Sequence, residues 1–410
     1  MRGSTLDLLM TSLPLEGVRV LDLSRLLPGP FASLLLADFG ADVVKVEDTG
    51  AGDYARAAPP YVDGVAESAK SAPFIALNRN KRSIRLDLKA PAGREALLAL
   101  VDDAHVVLES FRPGVMERLG LGLDALRARN PAIVHCAISG FGQTGPLTQR
   151  PGHDMNYLAL GGVFALNGNR DGAPVLGGVQ VADLGGGAQM AVIGILTALR
   201  HAERTGEGQS VDVSMTDGAL SWTAMESAAA LQGEKPRRGH TLLTGRHLCY
   251  LPYECQDGWI TIGALEPKFW LAFCTGVDRT DLVPHQFDPP GSDAHAQVAE
   301  IARSRTRAEW AAFGEQHDAC LEPVWELEEA LESGLVRERE MVVELDQPGA
   351  TTPVRALGVP IKLSGTPGDV HRRPAPGLGE HTEEVLREAG FDDARIAELV
   401  ASGAAGTLKG

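Results

Sequence analysis

Cysteine is scarce and unpatterned in this chain. The five that occur, Cys136, Cys249, Cys255, Cys274 and Cys320, are odd in number and never form C-x-x-C. That argues against a disulfide framework and against a zinc site, and makes reduced, mostly buried thiols in cytoplasm the expectation. Long apolar runs are missing too. Leu34–Ala37 and Met190–Leu199 stop well short of the ~20 residues a membrane helix needs. The start, Met1-Arg2-Gly3-Ser4 followed by a mixed Leu/Asp/Thr stretch, lacks a signal-peptide core. Positive charge is in deficit: the net charge of -16 argues against nucleic acid or an anionic membrane as a bulk partner. His135, His153, His201 and His247 have no ligand spacing, so no metal is expected.

What is present is an alternation of strands and helices. At 410 residues the chain exceeds the size at which one core stops growing, so two domains are expected. Val18–Leu23 alternates apolar and polar residues as a strand does, Pro28-Gly29-Pro30 breaks the chain after it, and Phe31–Phe39 reads as an apolar helix stopped by Gly40. Asp42–Glu47 is a second strand, which completes a βαβ unit and hence a parallel sheet. The pattern recurs through a strand at Ser83–Leu88, a helix at Gly93–Asp102, a strand at Ala104–Glu109, a helix at Leu123–Arg129 and a strand at Ile133–Ser139. An α/β sheet covered by helices should carry its function at the carboxyl ends of the strands.

The second half differs. A long helix at Gln189–Arg204, a strand at Ser210–Ser214 and a helix at Gly218–Leu231 lead to a charged break at Gly233–Gly239, a candidate domain boundary. Tyr250–Glu254 and Trp259–Gly263, split by Gln256-Asp257-Gly258, read as a β-hairpin. Helices follow around Pro267–Cys274 and Arg307–His317, and the chain closes on helices at Thr382–Glu388 and Asp393–Ala401.

Two stretches invite a ligand. Gly140-Phe141-Gly142-Gln143-Thr144-Gly145 matches G-x-G-x-x-G after a strand, but Pro146 and Pro151 leave no room for the helix a dinucleotide site needs. Those glycines are read instead as a turn or as a close backbone approach. Arg79, Lys81, Arg82, Arg85 and Lys89 crowd into Asn78–Lys89, with Arg112 and Arg118 beyond. In so acidic a chain this reads either as phosphate recognition by rigid guanidinium forks or as a solvated surface with scattered ion pairs.

The chemistry is carried by Gly152-His153-Asp154-Met155-Asn156-Tyr157 and Val181-Ala182-Asp183-Leu184-Gly185-Gly186-Gly187. Each holds a titratable group beside glycine at an irregular-to-helical junction. An imidazole and a carboxylate facing one carbon can take a proton on one side and return one on the other. Read without further context, His153 is more readily a satisfied loop histidine, and Asp183 is equally an ordinary N-cap.

Several segments together resemble the family III CoA-transferase group. They are Leu15–Asp22, Pro28-Gly29-Pro30-Phe31, Leu36–Glu47, Asn80-Lys81-Arg82-Ser83, Phe111-Arg112-Pro113-Gly114-Val115, Gly206–Val213 and Gly379-Glu380-His381-Thr382. The resemblance spans nearly the whole chain. It implies an acyl-CoA thioester substrate, with coenzyme A only as part of that substrate and no other cofactor. It also implies a Rossmann-like parallel-sheet large domain, a smaller α+β domain and an interlocked homodimer. The expected layout is residues 1–225 for the first part of the large domain, 226–345 for a linker and the small domain, and 346–410 for a segment returning to the large domain.

Within the group, Asp183 resembles the nucleophile of the transferases but is present in the α-methylacyl-CoA racemase branch as well. His153 resembles the racemase base, and Glu266, in Ala264-Leu265-Glu266-Pro267, resembles the residue paired with it. The resemblance further implies substrate and CoA contacts at Arg82, Arg85, Leu88, Lys89, Ser110, Arg112, Arg118, Gly152, Asp154 and Tyr157. Asp154 is also expected to cap or orient its segment, and backbone amides near Asp154 or Gly185 are the expected oxyanion donors. One loop departs from the racemase pattern: Leu243-Thr244-Gly245-Arg246-His247-Leu248-Cys249-Tyr250 replaces a Leu-Asp-Gly-Gly-Ala-Pro-like run, and Arg246 and His247 there could recognise a carboxylated acyl group. The expectation is an acyl-CoA racemase acting at the α-carbon, with a CoA-transferase using Asp183 as nucleophile as the alternative.

Overall fold

Strands β1 (Arg19–Asp22), β2 (Asp42–Glu47), β3 (Lys81–Leu86), β4 (Val106–Glu109), β5 (Val134–Ser139) and β6 (Ser210–Ser214) form one sheet in which all neighbours run parallel. A short final strand, Ala405–Gly406, pairs antiparallel with β3 and closes that edge. The order across the sheet is final strand, β3, β2, β1, β4, β5, β6. The chain fills one side outward from β1, then returns to β4 and fills the other. That reversal opens a crevice at the carboxyl ends of β1 and β4. The computed structural model describes residues 12–67 and 69–408, so the Met1–Ser4 start lies outside the described residues.

The sheet is buried on both faces, which explains the near-continuous apolar runs of β2 and β4. Charged groups nevertheless sit inside it. Lys45 on β2 reaches Asp53 at 2.8 Å and the Ser24 carbonyl at 3.0 Å. Lys81 on β3 donates to the Pro30 carbonyl and to Asn78, both at 2.9 Å, and lies 3.6 Å from Asp22. Asp22 in turn accepts from Ser33 at 2.5 Å. Burial brings Lys81 down to about 7 against the pull of Asp22. The network pins the turn after β1 to the helix that follows. That helix is Pro28–Asp38, so Pro28-Gly29-Pro30 does not break the chain; it supplies the first turn, where proline's missing N–H costs nothing.

The basic cluster resolves in the same way. Arg79 forms a bidentate pair with buried Asp38, at 3.0 and 2.7 Å. Arg82 donates all five of its N–H groups to Asp42, Glu384 and Glu388, at 2.6–3.0 Å. Arg85 donates to the carbonyls of Thr49, Gly50 and Thr407. These arginines fasten the sheet to the C-terminal helices and to neighbouring loops.

The glycine triplet also departs from expectation. A helix runs without interruption over Ala182–Thr205, 24 residues, and its first part, Ala182–Gln189, is wound as a π-helix. By length and composition it could cross a membrane, yet Ala191, Ile195, Ala198 and Leu199 are buried in this unit. Its glycines are there for approach. A Cβ on Gly186 would lie 2.6 Å from the Met215 carbonyl oxygen, and one on Gly218 would lie 2.1 Å from the Gly186 oxygen. Two backbones therefore cross where no side chain fits. The expected helix over Gly218–Leu231 is two, Met215–Ser221 and Ala224–Leu231.

The chain divides into two compact units. The first comprises the chain up to Gly161, Gly178–Trp222 and everything from Leu335 on; the second comprises Gly162–Gly177 and Thr223–Gly334. The division thus falls at Thr223, before the charged break at 233–239, and Gly162–Gly177 goes with the second unit. That unit is built on β7 (Tyr250–Cys255), β8 (Gly258–Gly263) and β9 (Leu321–Pro323), an antiparallel sheet. Its core stacks Trp270, Phe273, Trp310 and Phe313.

Candidate active site

A cavity of about 530 Å³ lies in the first unit, where the sheet reversal predicts a crevice. Arg25 and Pro28 follow β1, Ser110 and Arg112 follow β4, and Ser139 and Gly140 end β5. Gly152, His153, Asn156, Tyr157 and Asp183 complete it. Of the residues expected at the site, Ser110, Arg112, Gly152, His153, Tyr157 and Asp183 are therefore brought together.

His153 is exposed, immediately before the helix Asp154–Leu160. Its N–H donates to the Asn156 side chain at 3.0 Å, which fixes the backbone at the helix entrance. Tyr157 is buried one turn on. Its hydroxyl donates to the Gly152 carbonyl, and its ring stands edge-on to Phe141 at 5.3 Å. The ring fills the space that a Cβ on Gly140 or Gly152 would take, at 2.3 and 2.7 Å respectively. This is the role of the first glycine of the G-x-G-x-x-G match. No helix opens on that motif, since the next begins at Asp154, and the Gln143 N–H is tied to Asp212.

Asp183 sits in the first turn of the π-helical stretch. A π-turn inside a helix frequently marks a functional position, because it re-aims one side chain at the cost of regular bonding. Asp154 provides the cap: its Oδ1 accepts from the N–H groups of Ala182 at 2.7 Å and Asp183 at 3.1 Å. The orienting role expected of Asp154 is thus played toward the Asp183 segment. Burial raises the Asp183 carboxyl to about 6; the Asp154 charge adds to the rise, and His153 opposes it. Burial, with the Asp183 charge, also pushes Tyr157 up to about 12, so it stays a hydroxyl. The amides of Ala182 and Asp183 are spent on Asp154, and that of Leu184 on the Gln180 carbonyl. Those three amides are therefore spent, and the first-turn amides of Asp154 and Met155 remain.

Other expected contacts lie elsewhere. Arg82 has no N–H left for a phosphate, and Arg85 is held by backbone carbonyls. Arg82 is structural in this fold, which corrects its assignment to coenzyme A, whereas the Arg85 Nε is buried without a partner. Leu88 packs on the apolar core, while Lys89 and Arg118 are exposed and line no part of this cavity. Glu266 belongs to the second unit, where it is the exposed N-cap of the helix Pro267–Gly276 and its side chain makes no capping bond. His247 is also in that unit, bonded through Nδ1 to the Phe287 carbonyl at 2.7 Å, which leaves Nε2 as its other ring nitrogen.

Sequence reasoning missed Arg25 and Arg150, two further arginines on the cavity wall. Arg25 pairs with Asp48 at 2.9 Å, whereas Arg112 and Arg150 are exposed and make no ion pair among the described residues. Their signal was position: each follows a strand or lies in the proline-rich stretch before His153. Glu109 was missed as well. It ends β4 directly behind Ser110, and burial raises its carboxyl to about 8.

The comparisons agree with this geometry. The profile of CoA-transferase family III matches residues 15–382. A succinyl-CoA:mesaconate CoA-transferase of Haloarcula marismortui is 39% identical, over 92% of this chain and 97% of its own. The human alpha-methylacyl-CoA racemase is 35% identical, over 94% and 96%. Among solved structures, a CAIB/BAIF family protein from Brucella suis is 29% identical with a TM-score of 0.79, covering 92% of this chain and all of its own. Motifs, sheet order and cavity converge on one statement: this chain belongs to CoA-transferase family III, the enzyme family that includes both CoA-transferases and α-methylacyl-CoA racemases.

Proposed function

We propose that this enzyme racemises the α-carbon of a 2-methylacyl-CoA thioester. The observation that carries the reading is the meeting of His153 with Asp183 in one cavity, the carboxyl raised to about 6. A carboxyl whose proton affinity approaches neutrality exchanges protons well, as a general acid–base partner must. In the proposed cycle one of the pair removes the α-proton as the C–H electron pair moves into the enolate. The conjugate acid of the other then delivers a proton to the opposite face, and the thioester is re-formed with no net change in atoms. The Asp154 and Met155 amides supply hydrogen bonds to the enolate oxygen. Arg112 and Arg150 are the free cations for the phosphates of coenzyme A.

A second reading is favoured by the relatives named succinyl-CoA:mesaconate CoA-transferase, at 38–39% identity. In it Asp183 attacks the thioester, a mixed anhydride and free CoA thiolate form, and an acceptor acid completes the exchange. The interlocked homodimer and the pairing of Glu266 with His153 belong to the proposal. Exposed Ile193 and Trp222 on the first unit are of the kind a partner chain would cover.

Incubating a 2-methylacyl-CoA in deuterated buffer separates the two chemistries. Wild type should exchange the α-proton without any acceptor acid, and His153→Ala should not. No exchange, together with CoA transfer to an added acid and a hydroxylamine-trapped acyl group at Asp183, would establish the transferase instead.

A further inference from the structure

Five carboxylates are buried among the described residues: Asp22, Asp38, Glu47, Asp53 and Glu109. Four of them have a lysine or arginine. Asp22 lies 3.6 Å from Lys81, Asp38 pairs with Arg79 at 2.7 Å, Glu47 with Arg56 at 2.7 Å and Asp53 with Lys45 at 2.8 Å. Glu109 is the exception. Its one basic neighbour at ion-pair distance among the described residues is His135, whose Nε2 stands 3.8 Å from its Oε1. That nitrogen is itself buried without a hydrogen-bond partner. Burying an acid costs free energy, and no counter-charge offsets the cost here.

The register of the sheet shows what Glu109 holds. Val107 on β4 is opposite His135 on β5, and Glu109 is opposite Ala137, so Glu109 and His135 project from one face as diagonal neighbours. The other carboxyl oxygen, Oε2, accepts from the Phe111 N–H at 2.5 Å. The carboxyl therefore ties the loop after β4 back to the sheet. From the anchored amide the chain passes directly to Arg112, which is exposed on the cavity wall and whose charge acts on Tyr157. On either side of Arg112 the loop is held from outside. Ser110 Oγ accepts from the Arg25 N–H at 3.4 Å, and the Pro113 carbonyl accepts from the Gln149 amide at 2.9 Å.

Burial raises the Glu109 carboxyl to about 8, with the Phe111 N–H opposing and Glu117 adding to the rise. Burial also lowers His135, so at neutral pH a protonated acid faces a neutral imidazole. The acid O–H is the donor that the unpartnered nitrogen lacks.

We propose that Glu109 is a positioning residue for the acyl-CoA site: set between the Phe111 amide and the His135 imidazole, it fixes the loop that presents Arg112 to the cavity. The inference rests on Arg112 as a cation for the phosphates of coenzyme A, and holds for either chemistry.

Calorimetric titration of the full chain with free coenzyme A tests it. Arg112→Gln and Glu109→Leu should each weaken binding about tenfold. If Glu109 acts through Arg112, the double variant should bind no more weakly than Arg112→Gln alone, whereas independent structural damage would add. Glu109→Gln restores both contacts, its oxygen accepting from Phe111 and its amide donating to His135, and should bind near wild type. Glu117→Gln, which removes an exposed charge nearby, should leave binding unchanged. Melting curves establish folding; if Glu109→Leu is not folded, His135→Leu takes its place in the cycle. Undiminished binding by Glu109→Leu, additive losses in the double variant, or Glu109→Gln as weak as Glu109→Leu overturns the positioning role. Wild-type affinity in Arg112→Gln instead overturns the phosphate assignment, and this inference with it.

Discussion

Asp183 should be an acid that the fold tolerates at a cost, and replacing it should make the protein stronger. Its carboxyl stands at about 6 against an ordinary 3.8, chiefly because burial disfavours the charge and Asp154 repels it. The folded state therefore holds this proton more tightly than the unfolded chain does. Its contribution to stability is complete below the unfolded value and is lost as pH rises through about 6. The difference corresponds to about 3 kcal/mol, which partial exposure reduces to about 1–2 kcal/mol. Asp183→Asn keeps the shape and removes the charge. At pH 7.5 it should be about 1–2 kcal/mol more stable than wild type, a rise of roughly 2–6 °C in the first unit's melting temperature. At pH 4.5 the advantage should shrink to about a third, while catalysis is lost at every pH. Urea titrations of both proteins at the two pH values make the measurement. An Asn variant that is no more stable at pH 7.5, or whose advantage does not change with pH, would falsify the account of this site as a desolvated acid.

Asp154→Asn should preserve the acceptor that caps Ala182 and Asp183 while removing the neighbouring charge. The acid limb of the pH–rate profile should therefore move to lower pH with stability nearly unchanged. Arg82→Met takes the Arg82 cation from Glu384 and leaves Asp42 and Glu388 to Arg19, and should cost about 2–3 kcal/mol in urea unfolding. Its KM for acyl-CoA should stay near wild type, and a large rise in KM without loss of stability would return Arg82 to the binding site. Gly186→Ala puts a methyl group 2.6 Å from the Met215 carbonyl oxygen and 2.8 Å from the Ala219 nitrogen, both backbone atoms that cannot swing aside. A loss of about 1–3 kcal/mol is expected, with activity falling as the Asp183 turn is displaced; an unaltered melting curve counts against the close crossing.

The sheet was legible because its strands are short apolar runs bounded by glycine, proline and charge. Ser210–Ser214 and the hairpin after Tyr250 have the residues expected of them, or differ by one. The glycine triplet was not legible. Glycine disfavours helix in isolation, and only the crossing of Gly186 with Gly218 shows why the helix needs it. The arginine-rich stretch misled for a related reason. Composition shows that cations are present but not which carboxylates reach them, and the acids that occupy Arg82 lie at Asp42, Glu384 and Glu388, far away in sequence. His153 and Asp183 were legible as chemistry. Their meeting depends on strand order, and nothing local in the sequence places β4 beside β1.

The last strand, Ala405–Gly406, has a consequence for the timing of synthesis. Strand β3 is complete as soon as Leu86 leaves the ribosome, but its outer partner is made only about 320 residues later. At roughly 5–20 residues per second, β3 waits tens of seconds as a bare edge with unpaired N–H and carbonyl groups. The Glu384 and Glu388 counterions of Arg82 arrive on the same late schedule. The newborn chain is thus most prone to pair with its neighbours on a polysome during that interval, and a nonsense mutation before Ala405 would make the interval permanent.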